Sequence, residues 1–565
     1  MNQYSVAAVV VVTLATVAIG IYGLRFARTT SDFLVASRMV SPTWNAAAIS
    51  GEYLSAASFL GVAGLVLKHG VDLLWYPVGF AAGYLALLLF VAAPLRRSGA
   101  FTLPDFCEVR LRSKRLRKLA TAFVMFIGWL YLVPQLQGAG LTLQTVTGAP
   151  YALGALLVGV VVTLNVALGG MRSITFVQAF QYWLKLTALA VPFVFLVMQW
   201  QADGHPTLTA PDGPRFPAVT TVDVDHDTRM TIGEPTMVDG HGLVDGVLTN
   251  GTLLLTPGEH TVTEGARLVF PEAAAVPQVV DVTADSPAEW LLPGDDPQDL
   301  FGTYSLILAT FLGTMGLPHV LVRFYTNPDG AAARRTTLVV LGLVGVFYLT
   351  PTLYGALGRI YTPQLLMTGN TDAVVLLLPQ AVLGGGVTGR LLSALVAAGA
   401  FAAFLSASSG LLTSVAGVLS TDVLGHGSVR DFRRSALLAG VVPLLLALFV
   451  ASLDVSQVVG LAFAVAASSF CPLLVLGIWW RGLTAVGAAA GIVVGGGAAA
   501  TAVLLTVLGG PLDGWAGVLT AQPAAWSVPL AFLVMILVSL LTRHRLPAGV
   551  GAIMLRLHAP DALRL

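Results

Sequence analysis

Two ionisable side chains lie inside stretches that otherwise carry no charge. Glu52 lies in the segment AAISGEYLSAASFLGVAG, and Lys185 lies midway along an apolar run from residue 174 to residue 199. An isolated charge in an apolar environment is costly, so such a group is kept neutral or is paired with an opposite charge. A mutual ion pair or a proton-accepting role would satisfy this requirement, and Lys185 can alternatively extend its amine toward water. Both residues are therefore candidates for coupling to a cation, either through an ion pair or by taking up a proton.

A second group of polar side chains lies in the segment FAAFLSASSGLLTSVAGVLSTD. Its hydroxyl groups belong to Ser406, Ser408, Ser409, Thr413 and Ser414. Hydroxyl oxygens suit a hard cation such as sodium. The same hydroxyls can instead donate to carbonyls one turn earlier in their own helix, and for each hydroxyl taken alone this second role is favoured.

Two apolar segments are interrupted by glycine and proline at equivalent places. The first contains Gly51, Gly61 and Gly64, and the second, ATFLGTMGLPHVLVRFY, contains Gly313, Gly316 and Pro318. In membrane carriers, broken helices expose backbone amides and carbonyls where substrate and ions bind. Small residues also allow close helix packing without any binding role. The pair of interruptions nevertheless favours a binding site halfway across a membrane.

The elements that hold these residues follow from the composition. Only 10% of the 565 residues are charged and 56% are hydrophobic, which leaves too little polar surface for a water-soluble protein. A helix needs about 20 apolar residues to cross a bilayer, and apolar runs of that length recur. We therefore predict an all-α polytopic membrane protein with about thirteen transmembrane helices. The interrupted helices lie five spans apart, which predicts two five-helix repeats of opposite topology.

The predicted organisation has five parts. They are a peripheral helix and cytoplasmic loop (1–40), a first inverted repeat (41–200), an acidic extracytoplasmic insert (201–300), a second repeat (301–481), and two C-terminal helices with a cytoplasmic tail (482–565). Seventeen acidic but only three basic residues lie between 201 and 300, and its turn signals predict a small β-rich domain. Basic residues concentrate in alternate loops, with Arg323, Arg334 and Arg335 in one of them. This distribution predicts an outside N-terminus and a cytoplasmic C-terminus in a bacterial inner membrane.

Several of these segments resemble the sodium:solute symporter family, and within it the acetate and monocarboxylate permease branch. The similarity runs over nearly the whole membrane portion, from SDFLVASR through GEYLSAASFLG and GTMGLPHVLVRFYT to the serine-rich segment. GLPHVLVRF, followed by an Asn-Pro-Asp-Gly loop, is the most specific part. The resemblance implies a LeuT-type fold that works by alternating access.

The resemblance also implies a sodium site between the first and eighth core helices. Its ligand positions correspond to three backbone carbonyls, one hydroxyl and a last side-chain position: Gly51, Leu54, Ala403, Ser406 and Ala407. The sequence departs from the family at Ala407, where Ser or Thr is usual, and at Thr175, where many members have Asp. In some carriers of this architecture a lysine further along the helix of Thr175 replaces the cation and takes up a proton. Lys185 therefore leaves sodium and the proton as alternative coupling ions.

A short carboxylate needs hydrogen-bond donors and a small apolar wall, and the positive ends of broken helices attract an anion. The candidates for lining such a site are Tyr53, Ser55, Ser58, Gln135, Gln137 and Thr314. Each of these polar groups can alternatively serve only to join helices.

These observations predict a secondary active symporter that imports acetate, propionate, pyruvate or a similar monocarboxylate with sodium or a proton. No cofactor, nucleic-acid partner or metal other than sodium is expected. A nucleophile with its base, a metal-ligand cluster and a phosphate-binding loop are all missing from the sequence, so an enzyme is not predicted. The alternatives are a symporter of proline, a sugar or pantothenate, and a transporter-like sensor. The short tail after the last predicted span favours transport over sensing.

Overall fold

The computed structural model describes residues 3–23, 40–207, 214–224, 227–279, 290–292, 294, 296–425, 428–449, 455–509, 512 and 514–559. The predicted cytoplasmic loop that follows the first helix lies outside these residues. Before the insert, the helices are α1 (Gln3–Gly23), α2 (Pro42–Tyr53), α3 (Val62–His69), α4 (Trp75–Ala86), α5 (Ala92–Arg97), α6 (Leu103–Leu111), α7 (Lys114–Thr147), α8 (Tyr151–Met171) and α9 (Ser173–Ala202).

The helices continue after the insert through the rest of the described chain. They are α10 (Pro297–Gly316), α11 (Pro318–Phe324), α12 (Gly330–Tyr361), α13 (Leu365–Thr368), α14 (Val374–Leu383), α15 (Val387–Val418), α16 (Val429–Phe449), α17 (Val455–Trp479), α18 (Ala485–Gly491), α19 (Gly497–Gly509), α20 (Gly514–Ala521), α21 (Ala524–Leu541) and α22 (Val550–His558).

Ten helices of the described chain are long and apolar enough to cross a membrane, and the bent pair α10 and α11 makes up to eleven. The number thirteen therefore stays a prediction. One reason for the difference is that α3, α4 and α5 join through short helical turns into a single stretch, Ala57–Arg97. A second reason is that α16 begins with Arg430, Asp431, Arg433 and Arg434, whose charges lower its hydropathy.

Both glycine-containing helices are interrupted. Between α2 and α3 the backbone leaves helical geometry at Leu54 (φ −74°, ψ 84°) and resumes in a π-helical turn at Ala57–Gly61. Helices α10 and α11 meet at extended Leu317 with a bend of 42°. Pro318 suits the start of α11 because the first residues of a helix need no amide donor. The interruptions leave backbone groups free to bind side chains or ligands.

Packing brings the two interrupted helices to the middle of the bundle. Helices α2 and α15 both pack against α9, whereas α10 packs against α17 and α4. Gly51 allows this closeness, because a Cβ there would collide with the backbone carbonyl of Gln178 on α9. A Cβ at Gly316 would likewise collide with the carbonyl of Ala466 on α17. The break of α2 and α3 is therefore enclosed by α9, α15 and α7.

The insert is a small antiparallel sheet. Its strands are β1 (Thr220–Asp223), β2 (Thr228–Ile232), β3 (Thr236–Val244), β4 (Val247–Leu255), β5 (Gly258–Val262), β6 (Arg267–Phe270) and β7 (Gln278–Val279). The strand order is β1-β6-β3-β5-β2-β7, and β4 pairs with β3. Phe216, Val238, Leu268 and Phe270 are buried in its own core, which also includes Met367 of α13. The β-rich insert is therefore present and is seated against the helical bundle.

The insert and the basic loops lie at opposite ends of the bundle. Arg96, at the end of α5, donates to the carbonyls of Asn327 (2.5 Å) and Pro328 (2.6 Å). The insert lies beyond the start of α4, about six helical turns away from Arg96. The chain is a multi-pass membrane protein. The direction in which it faces in the cell, and its placement in a bacterial inner membrane, stay predictions.

Candidate functional site

The ammonium group of Lys185 lies at the break between α2 and α3. Its Nζ donates to the Leu54 carbonyl (2.7 Å), to the Ser406 hydroxyl (2.8 Å) and to the Gly51 carbonyl. The Lys185 side chain is fully buried. A lysine ammonium has three N–H donors and no acceptor, so these three oxygens use all of its hydrogen-bonding capacity.

The hydroxyl of Ser406, on α15, contacts carbonyls of both α2 and α15. Its Oγ lies 2.7 Å from the Gly51 carbonyl on α2 and 3.0 Å from the Ala403 carbonyl on α15. These carbonyls, that of Leu54 and the hydroxyl are the oxygens that the family resemblance assigns to a cation. Ala407, at the last predicted ligand position, supplies no side-chain oxygen. The site thus holds an amine within hydrogen-bond distance of three of its four predicted oxygens.

Glu52 is paired with Arg323 rather than with Lys185. Its Oε2 accepts from Arg323 Nε at 2.6 Å, and the two side chains are 2% and 1% exposed. The same guanidinium donates to Thr175 Oγ1 (2.9 Å) and to Gln178 Oε1. A buried ion pair needs such additional hydrogen bonds to offset the desolvation of both charges. This network, which we call the Glu52–Arg323 network, lies directly next to the lysine.

Gln178 connects the network with the lysine site. Its amide nitrogen donates to the Ser406 carbonyl at 2.8 Å and lies 3.4 Å from Glu52 Oε2. Gly410 gives the Glu52 carboxyl its space, because a Cβ at Gly410 would collide with it. The prediction that Arg323 lies in a cytoplasmic loop is wrong, because Arg323 is buried on α11. Its position within the apolar helix PHVLVRF was the signal for burial.

The predicted substrate residues meet in an aromatic cluster next to the break. The hydroxyl of Tyr53 lies 2.8 Å from Thr314 Oγ1 and donates to the Phe80 carbonyl at 3.1 Å. The Tyr53 ring contacts Tyr84 (4.7 Å between centroids) and Phe463 (6.2 Å). We call Tyr53, Phe80, Tyr84, Tyr131, Tyr348 and Phe463 the aromatic chamber.

Serine and glutamine side chains tie the interrupted helix to this chamber. Tyr131 donates to Ser55 at 3.2 Å, and the hydroxyls of Ser58 and Tyr348 lie 2.7 Å apart. The Ala56 amide, which the break frees, donates to Gln135 Oε1 at 2.9 Å. The predicted residues Tyr53, Ser55, Ser58, Gln135 and Thr314 are therefore brought together.

Gln137 and Tyr84 differ from that set in opposite ways. The amide of Gln137 is buried, but neither of its polar atoms has a partner among the described residues. Tyr84 was not predicted, although its fully buried hydroxyl also lacks a partner in the described part of the chain and its ring stacks edge-on against Tyr53. A lone tyrosine in the apolar run GFAAGYLALLLF was the available signal for Tyr84.

Comparison with known proteins gives these contacts a context. The model of the sodium:solute symporter family matches residues 33–208 and 251–495. The chain belongs to the sodium:solute symporter family. The unmatched stretch between these ranges falls within the insert. This symporter is 28% identical over 536 residues to the "Uncharacterized symporter YwcA" of Bacillus subtilis, a match that covers 92% of this chain and 90% of the relative.

A second relative is the "Monocarboxylic acid transporter" of Corynebacterium glutamicum, which is 29% identical to this symporter over 543 residues. That match covers 90% of this chain and 87% of the relative. A solved structure of a Na⁺-coupled sialic acid symporter, in a substrate-bound outward-open state, superposes with a TM-score of 0.63 at 16% identity. The superposition covers 95% of this chain and 98% of the sialic acid symporter. This similarity shows that the fold is that of LeuT-like symporters. The chain is thus a transporter and not an enzyme.

Proposed function

We propose that this symporter imports short-chain monocarboxylates such as acetate, propionate and pyruvate, and that the coupling ion is a proton carried by Lys185. The position of the Lys185 amine among the predicted cation ligands is the observation that carries the coupling part of the proposal. The family implies sodium as the coupling ion. A charged ammonium in the same position excludes sodium by occupying its oxygens and by repulsion between like charges.

Protonation of Lys185 is linked to how tightly three helices pack. The ammonium presents three donors to Gly51 and Leu54 near the break and to Ser406 on α15. A neutral amine has only two N–H donors, which can serve the Gly51 and Leu54 carbonyls, and a lone pair that can only accept from Ser406. To donate to this lone pair the Ser406 hydroxyl must give up its hydrogen bonds to the Gly51 and Ala403 carbonyls. Loss of the proton therefore changes the hydrogen bonds that join the break to α15. Such a difference between two packing states is what coupling requires.

The aromatic chamber supports the carboxylate part of the proposal. It combines apolar ring faces of Phe80 and Phe463 with the hydroxyl of Tyr84, which has no partner among the described residues, and this combination suits a small anion with an alkyl end. The name of the Corynebacterium relative points to the same substrate class. A proton and a carboxylate together carry no net charge, so the membrane potential, worth about 2.3 kcal/mol per charge per 100 mV, would not drive this import.

The test is uptake of labelled pyruvate into proteoliposomes under separately imposed proton and sodium gradients. Pyruvate is preferable to acetate because less of it is present as the membrane-permeant neutral acid. We expect accumulation with an acidic exterior and no additional accumulation with external sodium. Accumulation that requires sodium would overturn proton coupling. If no monocarboxylate accumulates above protein-free liposomes under any gradient, the substrate assignment fails.

A further inference from the structure

The insert is attached to the interrupted helix through a buried tryptophan. Trp290, which follows the sheet, is 3% exposed. Its indole Nε1 donates to the carbonyls of Val66 (2.9 Å) and Leu67 (3.2 Å). Both carbonyls belong to the C-terminal part of α3, where the Val66 carbonyl also accepts from the amide of the capping residue Gly70. Trp290 thus caps the end of α3 that faces the insert.

The turn after α3 is shaped around the same tryptophan. Gly70 has φ +70°, and a Cβ there would collide with the carbonyl and ring of Trp290. A short distance along the chain, the Gly294 amide donates to Asp72 Oδ2 at 2.8 Å. We call Trp290 and Gly294, with the described residues between them, the stem. The stem therefore forms hydrogen bonds with the end of α3 and with the turn that leads to α4.

The ring of Trp290 contacts the second half of the chain. The guanidinium of Arg359, in the last turn of α12, lies 4.8 Å from the centre of the indole ring, which is a cation–π contact. Arg359 is 7% exposed, and the described residues place no carboxylate within ion-pair distance of it. Met367, a few residues further, completes the core of the sheet. Trp290 therefore links α3 to α12, which belong to different predicted repeats.

We propose that Trp290 is a positioning residue that holds the outer half of the interrupted helix in its closed arrangement, and that the stem, rather than the sheet, connects the insert to transport. The proposal rests on alternating access but not on the substrate or the coupling ion. Helix α3 and the π-helical turn before it form a continuous helical rod from Ala56 to Leu67. This rod is about 16 Å long at 1.5 Å per residue. Movement at its Trp290 end reaches the Ala56–Gln135 and Ser58–Tyr348 contacts at the other end.

Trp290→Ala removes two donors and the ring, which should favour the arrangement in which α3 has moved outward. Because apparent affinity scales with the population of the binding-competent state, KM for external pyruvate should fall about three- to tenfold. Vmax should fall as well, because the return to the closed state becomes slower. Trp290→Phe keeps the ring over Arg359 but loses the donors, so its KM should lie between those of the wild type and Trp290→Ala.

Trp200→Ala is the matched control. Trp200 lies in the last turn of α9, before the insert in sequence, and its indole donates to the Pro206 carbonyl at 3.1 Å rather than to the carbonyls of α3. We expect its KM to equal that of the wild type. If Trp290 had a merely structural role, Trp290→Ala and Trp290→Phe would lower Vmax and protein abundance and leave KM unchanged. That result would overturn the proposal.

A labelling experiment separates this proposal from the proposed function, because it needs no substrate. Ser58→Cys is introduced with Cys107 and Cys471 replaced by alanine, and a membrane-impermeant thiol reagent is added from the insert side. Trp290→Ala should increase the rate of labelling about three- to tenfold relative to Trp200→Ala, as the open population rises. Equal labelling rates in the two variants would overturn the positioning role, whether or not pyruvate is transported.

Discussion

Lys185 matches three N–H donors with three buried oxygens, and the proposed mechanism links its protonation to helix packing through this match. The neighbouring carboxylate does not compete for the amine, because Glu52 is bound by Arg323 at 2.6 Å. The two buried cations thus have different surroundings. Lys185 donates to neutral oxygens, whereas Arg323 donates to a carboxylate. At the scale of single residues, Lys185 is therefore the residue proposed to carry the proton.

Lys185→Ala should abolish pyruvate uptake driven by a proton gradient, because no group is left to carry the proton. Exchange of internal for external pyruvate requires no net proton movement and should persist. Both activities can be measured in the same proteoliposomes, with Lys118→Ala, a change at an exposed lysine, as the control. Equal loss of both activities together with low abundance would assign Lys185 a structural role.

Glu52→Gln should lower the stability of the folded protein by about 3–5 kcal/mol, because it leaves the Arg323 charge buried without its counterion. The double variant Glu52→Gln with Arg323→Gln should recover part of this loss. Thermal unfolding in detergent measures both effects. Glu234→Gln is the control, since it removes an exposed pair with Arg215 and should change little. If the double variant is no more stable than the single one, the pair is not the source of the loss.

Tyr84→Phe should raise KM for pyruvate about tenfold, the effect of one lost hydrogen bond to a charged group of ~1.4 kcal/mol. The reason is that the Tyr84 hydroxyl has no protein partner among the described residues and can serve a carboxylate. Tyr354→Phe is the matched control, because its buried hydroxyl already donates to the Leu189 carbonyl at 3.1 Å. An unchanged KM for Tyr84→Phe would exclude the hydroxyl from substrate binding.

At the scale of elements, glycine sets the distance between the interrupted helix and its neighbours. Gly51 touches the Gln178 backbone on α9, and Gly410 touches the Glu52 side chain from α15. These contacts bring α2, α9 and α15 close enough for one amine to reach carbonyls and a hydroxyl on different helices. Small residues have this role in many membrane bundles. The proposed cation site therefore depends on helix separation as much as on ligand chemistry.

Gly51→Ala should abolish transport, because its Cβ forces α2 away from α9 and breaks the contacts of Lys185. Gly345→Ala in α12 is the control, since nothing lies within 4 Å of a Cβ there. Alanine is also the better helix former by about 1 kcal/mol, so this control should retain wild-type uptake and stability. Wild-type uptake by Gly51→Ala would show that the separation of α2 and α9 is not critical.

At the scale of the whole molecule, the chain combines a membrane bundle with an acidic sheet that has a core of its own. The sheet is seated on the bundle through Met367 and the stem, and the basic loops lie at the other end. The sheet also contains a titratable pair outside the membrane, His260 Nδ1 with Asp245 Oδ2 at 2.6 Å. Burial lowers the pKa of His260, but hydrogen bonds to the Thr256 carbonyl and to Asp245 outweigh it and raise the pKa above 6.5.

The sheet should therefore lose stability as the pH rises. The pair favours protonated His260, so its contribution is fully present below the ordinary histidine pKa and disappears above the raised pKa. Hydrogen exchange of β5 in the full-length protein should become faster between about pH 6 and pH 8, after correction for the intrinsic pH dependence of exchange. His260→Gln should remove this change. Equal corrected rates across the range in the wild type would contradict the role of the pair.

The sequence by itself determined that this is a helical membrane protein, that it has an acidic insert and that two of its helices are interrupted. Composition and the positions of glycine can be read without knowing which helices become neighbours. The sequence also supplied the predicted ligand positions at Gly51, Leu54, Ala403 and Ser406, through its resemblance to the family. Only the tertiary structure placed the Lys185 amine within hydrogen-bond distance of three of these oxygens. Lys185 and Gly51 are more than 100 positions apart in the sequence, so their distance is set by how the helices pack.

The partner of Glu52 and the role of the stem were likewise decided by packing. A sequence contains no distances, so Glu52 had two possible cations, Lys185 and an arginine that looked like a loop residue. Folding buries α11 and directs Arg323 to the carboxylate. Trp290 lies outside every apolar run, and only the fold places its indole on the last carbonyls of α3. Local pattern thus sets the elements, whereas the pairing of buried charges and donors depends on which elements become neighbours.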